Sequence, residues 1–167
     1  MTLSTADGSA TFAGSVTING NLSVPNGSIG NAALQNPISP LATHAGANSF
    51  GLATGANVQL LSTTISVPAG FTQALVFATA TLHAYNNNAG ADDAYESVFI
   101  NGTSVGASSQ VTAAAGASTS LPASGTLLVT GLGASFAVVV KCSSGANAWA
   151  SSANNFINLD VMTIFLR

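Results

Sequence analysis

The stretch Phe156-Ile-Asn-Leu-Asp-Val-Met-Thr-Ile-Phe-Leu-Arg167 decides the fold class, because it predicts a β-strand with two apolar faces. Alternate side chains of a strand point to opposite sides of its sheet. One face carries Phe156, Asn158, Asp160, Met162, Ile164 and Leu166. The other face carries Ile157, Leu159, Val161, Thr163 and Phe165. A strand that is apolar on both faces is buried on both sides. In a two-layer sandwich one face meets the core, so we expect the other to meet a neighbouring subunit.

The segment 58–167 predicts one strand after another, with Gly, Asn and Ser between them. Asn101-Gly102 is the strongest hairpin signal in the chain. No segment has helical periodicity with caps. This spacing predicts an all-β fold, a jelly-roll-like antiparallel β-sandwich of about eight strands. The predicted strands cover 58–67, 73–84, 95–100, 103–105, 110–114, 126–129, 135–141, 148–150 and 157–166.

Residues 1–40 differ from the rest and predict a shaft or anchor segment. Two short units, 14–20 and 21–27, each carry two apolar residues at alternate positions and end in Gly. Such short strands bury too little surface in one chain, so three chains could wrap around a common axis. A pair of hairpins packed on the following domain is the alternative. Residues 28–36 could form one or two helical turns, and 41–57 is predicted to be a linker.

Charge is scarce, which limits the classes of function. Charged residues make up 4% of the 167 positions, with two basic side chains and five acidic ones. Two cations cannot form a phosphate-binding patch, so nucleic-acid binding is not expected. No run approaches the 20 or so apolar residues of a membrane-spanning helix, so membrane insertion is not expected either. The chain must pack against other copies or carry a coat of small neutral polar groups.

Two parts of the sequence resemble bacteriophage proteins. Ser15-Val-Thr-Ile-Asn-Gly-Asn-Leu-Ser-Val-Pro-Asn-Gly-Ser-Ile-Gly-Asn-Ala-Ala-Leu34 resembles the shaft repeats of tail-fibre and spike proteins. Ile65-Ser-Val-Pro-Ala-Gly-Phe-Thr-Gln-Ala-Leu-Val76 and Met162-Thr-Ile-Phe-Leu-Arg167 resemble a β-sandwich domain of small phage structural and minor tail proteins. The resemblance implies a homotrimeric virion protein, made in the host cytoplasm and displayed on a head or tail surface. Most tail fibres are several times longer, which leaves a short fibre, a spike or a capsid decoration protein.

Three acidic side chains lie within five residues and form the candidate metal site. Asp92, Asp93 and Glu96 fall between a loop and a strand. They are expected at the exposed tip of the sandwich, either solvated or sharing a Ca²⁺ ion, which prefers carboxylate and carbonyl oxygens. No other cofactor is expected. A glycosidase needs two carboxylates on opposite sides of its sugar substrate. The sequence contains no acidic cluster besides this one, so the chain is not expected to be an enzyme.

Aromatic residues near loops form the candidate ligand-binding set. Tyr85, Tyr95 and Trp149 could stack on the sugar rings of a cell-surface receptor. The alternative for Trp149, which has Ala on both sides, is a place in the sandwich core or a subunit interface. His83 is expected to be a packed or axial polar residue, and Cys142 a buried thiol.

Three hypotheses follow from these features. The first is a trimeric virion surface protein whose partners are its own copies and phage capsid or tail proteins. The second is a carbohydrate-binding module that recognises a host glycan. The third, a trimeric hydrolase, is disfavoured by the scarcity of charged residues.

Overall fold

The computed structural model describes residues 2–3, 10–11, 15, 17, 19, 38–55 and 58–167. The chain divides into two compact units, residues 1–34 and 35–167. In the first unit, β1 (Thr2–Leu3) and β2 (Ala10–Thr11) pair antiparallel. The apolar positions of the predicted shaft repeat and the helical turns at 28–36 lie outside the described residues.

The second unit is an antiparallel β-sandwich of eight strands in two four-stranded sheets. The described residues include no helix, and therefore none that is long and apolar enough to cross a membrane. The strands are β3 (Ser39–Asn48), β4 (Val58–Ser66), β5 (Gln73–Tyr85), β6 (Asp92–Ile100), β7 (Thr103–Ala113), β8 (Ser118–Thr130), β9 (Ser135–Ser144) and β10 (Phe156–Leu166).

The strand order is that of a jelly roll. One sheet, here the β10 sheet, has the order β3-β10-β5-β8, and the other, the β9 sheet, has the order β4-β9-β6-β7. Counted from β3, the first strand lies beside the eighth, the second beside the seventh, the third beside the sixth and the fourth beside the fifth. This nesting of pairs produces two Greek keys in a double-sheet sandwich. The all-β, two-sheet architecture predicted from the sequence is confirmed.

Small side chains fill much of the space between the sheets. On β5 the inward positions include Ala74, Val76, Ala78 and Ala80, each no more than 3% exposed. Larger apolar side chains from both sheets complete the core, among them Leu52, Ile65, Leu82, Ile100, Leu121, Ile157, Leu159 and Phe165. Strict alternation along β5 and β10 separates this inward face from an outward one.

The hairpin between β6 and β7 forms where the Asn-Gly signal predicts it. Asn101 and Gly102 both have positive φ, 48° and 79°. Two consecutive residues of positive φ match the twist of the flanking strands, and Asn and Gly adopt that conformation at the lowest cost.

The predicted linker at 41–57 is wrong over its first half, because residues 39–48 form edge strand β3 of the β10 sheet. Its inward positions include Ala45 and Ala47, which pack on the core. The strand predicted at 148–150 is reduced to a single bridge between Leu52 and Trp149. β8 begins at Ser118 rather than at residue 126, and exposed Ser120, Pro122 and Ser124 alternate there with buried Leu121 and Ala123.

A close approach between β7 and β8 depends on a glycine. Gly106 has φ +71°, and a Cβ at this position would overlap the carbonyl oxygen of Ser124. Gly131 also has positive φ, +64°, but a Cβ there would meet open space. Comparing the same substitution at the two positions therefore distinguishes the cost of steric overlap from the cost of backbone strain.

We predict that Gly106→Ala lowers the free energy of unfolding by about 3 kcal/mol, because strain in the left-handed region adds to overlap with the backbone. Gly131→Ala, the matched control, should cost about 1 kcal/mol from the conformation alone. Urea denaturation of the two variants measures both effects. Equal losses would show that β7 and β8 can separate without cost at Gly106.

Candidate functional site

Asp92 is buried at the start of β6 and organises the loop that follows β9. It is 6% exposed. Its Oδ1 accepts hydrogen bonds from the backbone N–H groups of Ala146 (2.8 Å) and Asp93 (2.9 Å). Its Oδ2 accepts from the backbone N–H of Asn147 (3.0 Å) and from Nε1–H of Trp149 (3.1 Å). Burial alone would raise the pKa of Asp92, but these bonds favour the charged form, and the pKa is lowered overall.

Trp149 is a core residue and cannot form a sugar platform. It is 1% exposed, and its backbone pairs with Leu52 through hydrogen bonds of 2.8 and 3.0 Å. The prediction of a ligand-binding Trp149 is wrong, because its indole reaches inward to Asp92. The alternative prediction, that it fills the sandwich core, is confirmed.

Asp93 points to the opposite side of β6 from Asp92, onto the outer face of the β9 sheet. Its carboxylate accepts hydrogen bonds from Oη of Tyr95 (3.3 Å), Nε2 of Gln110 (3.0 Å) and Oγ1 of Thr112 (2.5 Å). Partial burial and the Asp93 charge raise the pKa of the Tyr95 phenol. This polar cluster joins the outward side chains of β6 and β7.

Glu96 is fully buried between the sheets, at 0% exposure. It pairs across β6 and β9 with the buried Cys142. Neither carboxyl oxygen makes a hydrogen bond of ordinary geometry. Burial raises the pKa of Glu96 to about 7, and the backbone of Leu82 lowers it by a smaller amount. Burial and the neighbouring Glu96 charge raise the pKa of the Cys142 thiol, so the prediction of a buried thiol is confirmed.

The three carboxylates of the candidate metal site therefore do not converge. Asp92 and Glu96 face the interior and Asp93 faces outward, because alternate residues of β6 point to opposite sides. The predicted exposed tip is wrong for Asp92 and Glu96. No group of three His, Cys, Asp or Glu side chains that could hold a metal ion occurs in the part of the chain that the structure describes.

The two tyrosines of the candidate ligand-binding set lie on different sheets. Tyr85 ends β5 in the β10 sheet and Tyr95 lies on β6 in the β9 sheet, both half-buried. The sequence placed them together with Trp149, but the structure does not. Tyr95 lines an open pocket of about 620 Å³ at the outer face of the β9 sheet. Its other lining residues are Gly55, Asp92, Asp93, Ser108, Ser143, Ser144, Gly145 and Ala146.

The outer face of the β10 sheet forms rows of side chains across its four strands. One row runs Pro40, Ile164, Leu75, Leu128 and the next runs Ala42, Met162, Phe77, Thr126. These two rows are mainly apolar, with Met162 49% and Leu128 50% exposed. The sequence predicted the apolar outer face of β10; its neighbours on β5 and β8 extend that face.

The next row of the same face is polar and contains a hydrogen-bonded histidine–aspartate pair. His44 Nδ1 lies 2.8 Å from Asp160 Oδ1, and both side chains are largely exposed. An open pocket of about 460 Å³ lies where this row meets the apolar ones, lined by Ala42, Thr43, His44, Phe77, Thr79, Asp160, Val161 and Met162. Farther along the face, the ring of His83 stacks on Phe156 at a centroid distance of 4.8 Å and bonds Ser120 Oγ at 2.8 Å. His83 is thus a packed polar residue, as predicted.

Comparisons with known proteins yield only distant structural similarity. No protein-family model matches the chain, and no curated protein matches it. A solved structure described as the C-terminal domain of EclA, a sugar-binding protein, is 14% identical, with a TM-score of 0.40 over 72% of this chain and 78% of its own. A protein of the T13 infectious bursal disease virus particle is 11% identical, with a TM-score of 0.37 over 77% of this chain and 35% of its own. These scores are too low for any conclusion about function.

The buried Glu96 predicts a stability that falls as the pH rises. Its folded pKa of about 7 lies above the ordinary value of 4.5, so its contribution is intact below pH 4.5 and is lost as the pH rises through 7. Glu96→Gln removes the ionisation while keeping the shape. We expect similar unfolding free energies for both proteins at pH 4.5, and a variant more stable by up to about 3 kcal/mol at pH 8. Urea denaturation across this range checks the result, and parallel pH profiles would contradict it.

Proposed function

We propose that the chain is a bacteriophage virion structural protein: a small homotrimeric surface protein, a short fibre, spike or capsid decoration. In this role, residues 1–40 dock to capsid or tail proteins and the sandwich is displayed on the virion surface, for particle stabilisation or host adhesion. The protein would be made in the host cytoplasm and would act without catalysis.

The difference between the two outer faces of the sandwich carries this proposal. The outer face of the β10 sheet has two apolar rows, which favours contact with another protein. The outer face of the β9 sheet carries many small hydroxyl side chains, including Ser62, Thr64, Ser104 and Ser108, which favours display to water. A displayed subunit of an assembly needs one face of each kind.

The scarcity of charge supports the same role. The two basic side chains both lie over aromatic rings: Lys141 Nζ is 4.2 Å from the Phe99 ring centroid and Arg167 Cζ is 5.5 Å from that of Phe71. Soluble monomers normally remain apart through surface charge. The resemblance of the N-terminal segment to phage shaft repeats supports a virion rather than another kind of assembly.

We predict that the full chain is incorporated into particles of its parent phage and that a chain lacking residues 1–34 is not. The cut lies at the boundary between the two compact units and leaves β3 intact. The truncated chain should keep the circular dichroism spectrum of a β-sandwich. Mass spectrometry of purified particles measures incorporation. Equal incorporation of both chains would contradict the docking role of the N-terminal segment, and absence of the full chain from particles would contradict the virion role.

A second candidate function, carbohydrate binding for receptor recognition, is supported by the pocket at Asp93 and Tyr95. A sugar needs hydrogen-bond acceptors for its hydroxyl groups and an aromatic surface for its ring. The pocket supplies the Asp93 carboxylate, the half-buried Tyr95 and small neighbours such as Ser108 and Gly145.

If this second function is correct, Tyr95→Ala should abolish the glycan-array signal of the full chain. Tyr85→Ala, on the other sheet, is the matched control and should leave the signal unchanged. Comparable thermal unfolding of both variants would establish that folding is intact. A wild-type chain that binds no glycan would rule the function out.

A further inference from the structure

We propose that the two apolar rows on the outer face of the β10 sheet, and the pocket beside them, form the surface through which copies of this chain bind one another. The inference rests on the proposed function for the number of copies, three. It adds the location of the interface and the side chains at its centre.

One apolar row is continuous across all four strands of the sheet, and the next is continuous across β3, β10 and β5. Ile164 pairs with Pro40 on one side and with Leu75 on the other, and Leu75 pairs with Leu128. One step along the strands, Met162 lies between Ala42 and Phe77. Side chains at directly opposed positions contact one another on the same face. The rows therefore form one apolar patch, in which Met162 and Leu128 are about half exposed.

The pocket gives this patch a concave feature that a neighbouring molecule can fill. It lies between Phe77 and Met162 on the apolar side and the His44–Asp160 pair on the polar side. A volume of about 460 Å³ accommodates apolar side chains of a partner. Interfaces of this kind have an apolar centre and a polar rim, and the His44–Asp160 pair occupies the position of the rim.

The edges of the same sheet are poor places for association. β3 and β8 are its edge strands, and they contain Pro40 and Pro122, respectively. Proline cannot donate a backbone hydrogen bond, and edge prolines hinder the addition of another strand. A partner would therefore be expected to pack on the face of the sheet.

The charges on the face favour a second copy over a partner of another chemistry. Among the described residues of these strands, the ionisable groups on this face are His44, His83, Tyr85 and Asp160. His44 and Asp160 bind each other, and His83 bonds Ser120 and stacks on Phe156. A nucleic acid would find no cluster of basic side chains here, and a strongly basic peptide would find a single carboxylate, that of Asp160, already bonded to His44. A second copy offers the same apolar surface with equally few charges, and association between copies is the common route to symmetric oligomers.

The test measures the mass of the full chain in native buffer at micromolar concentration. The wild type should have three times the protomer mass of 16.4 kDa. Met162→Glu places a charge at the centre of the patch and should reduce the mass to that of the protomer. Leu128→Glu, on a different strand of the patch, should do the same. Thr64→Glu adds the same charge at an exposed position of the β9 sheet and should leave the oligomer intact. Far-UV circular dichroism of each variant establishes that the sandwich is folded.

Each alternative result overturns the inference in a recognisable way. If the wild type is oligomeric and both patch variants remain so, the interface lies elsewhere and the proposed function is unaffected. If Thr64→Glu dissociates the oligomer as readily as Met162→Glu, added charge alone is responsible and the patch has no special role. A monomeric wild type would overturn the inference and, with it, the homotrimer of the proposed function. Absence of the chain from phage particles would contradict the virion role alone.

Discussion

The burial of small side chains between the two sheets is the constraint on which the rest of the sandwich depends. Ala74, Ala78 and Ala80 of β5 are almost completely buried, and a shift of one residue in register would turn them outward. Such a shift would also bring Phe77 and Thr79 into the core. The register that buries alanine on one side of β5 therefore presents Leu75 and Phe77 on the other side, so the core determines the composition of the outer face.

The two buried acidic side chains of the sandwich, Asp92 and Glu96, differ in their hydrogen bonding. The carboxylate of Asp92 is surrounded by donors and stabilises the loop between β9 and β10, together with the indole of Trp149. Glu96 has no comparable partners and remains a source of instability in its charged form. Burying an acidic side chain without a hydrogen-bond partner lowers the stability of the fold. The contacts of Glu96 do not explain why it lies beside Cys142.

The sequence predicts the fold best where long apolar runs and strong turn residues give a clear local signal. The two apolar faces of β10 and the Asn101–Gly102 turn follow directly from the residues. The sequence does not predict β3, because alanine and glycine at residues 45–47 give almost no contrast in hydrophobicity between the two faces of the strand. The sequence predicts the wrong positions for Glu96 and Trp149. An acidic side chain is expected at the surface, and an aromatic side chain near a loop is expected to be exposed and able to bind a ligand. Their burial depends on contacts with distant segments, including Leu52, which local patterns do not encode.

The packing of Lys141 has a consequence for resistance to proteases. Trypsin-like enzymes cleave after lysine or arginine and need the chain extended and free of its neighbours. The chain has only two basic residues, Lys141 and Arg167. Lys141 lies inside β9, which is hydrogen-bonded to β4 on one side and to β6 on the other, and its side chain lies over Phe99. Cleavage after Lys141 requires the central strand of a sheet to open. The folded sandwich would therefore withstand digestive and bacterial proteases of that specificity for as long as the fold remains intact.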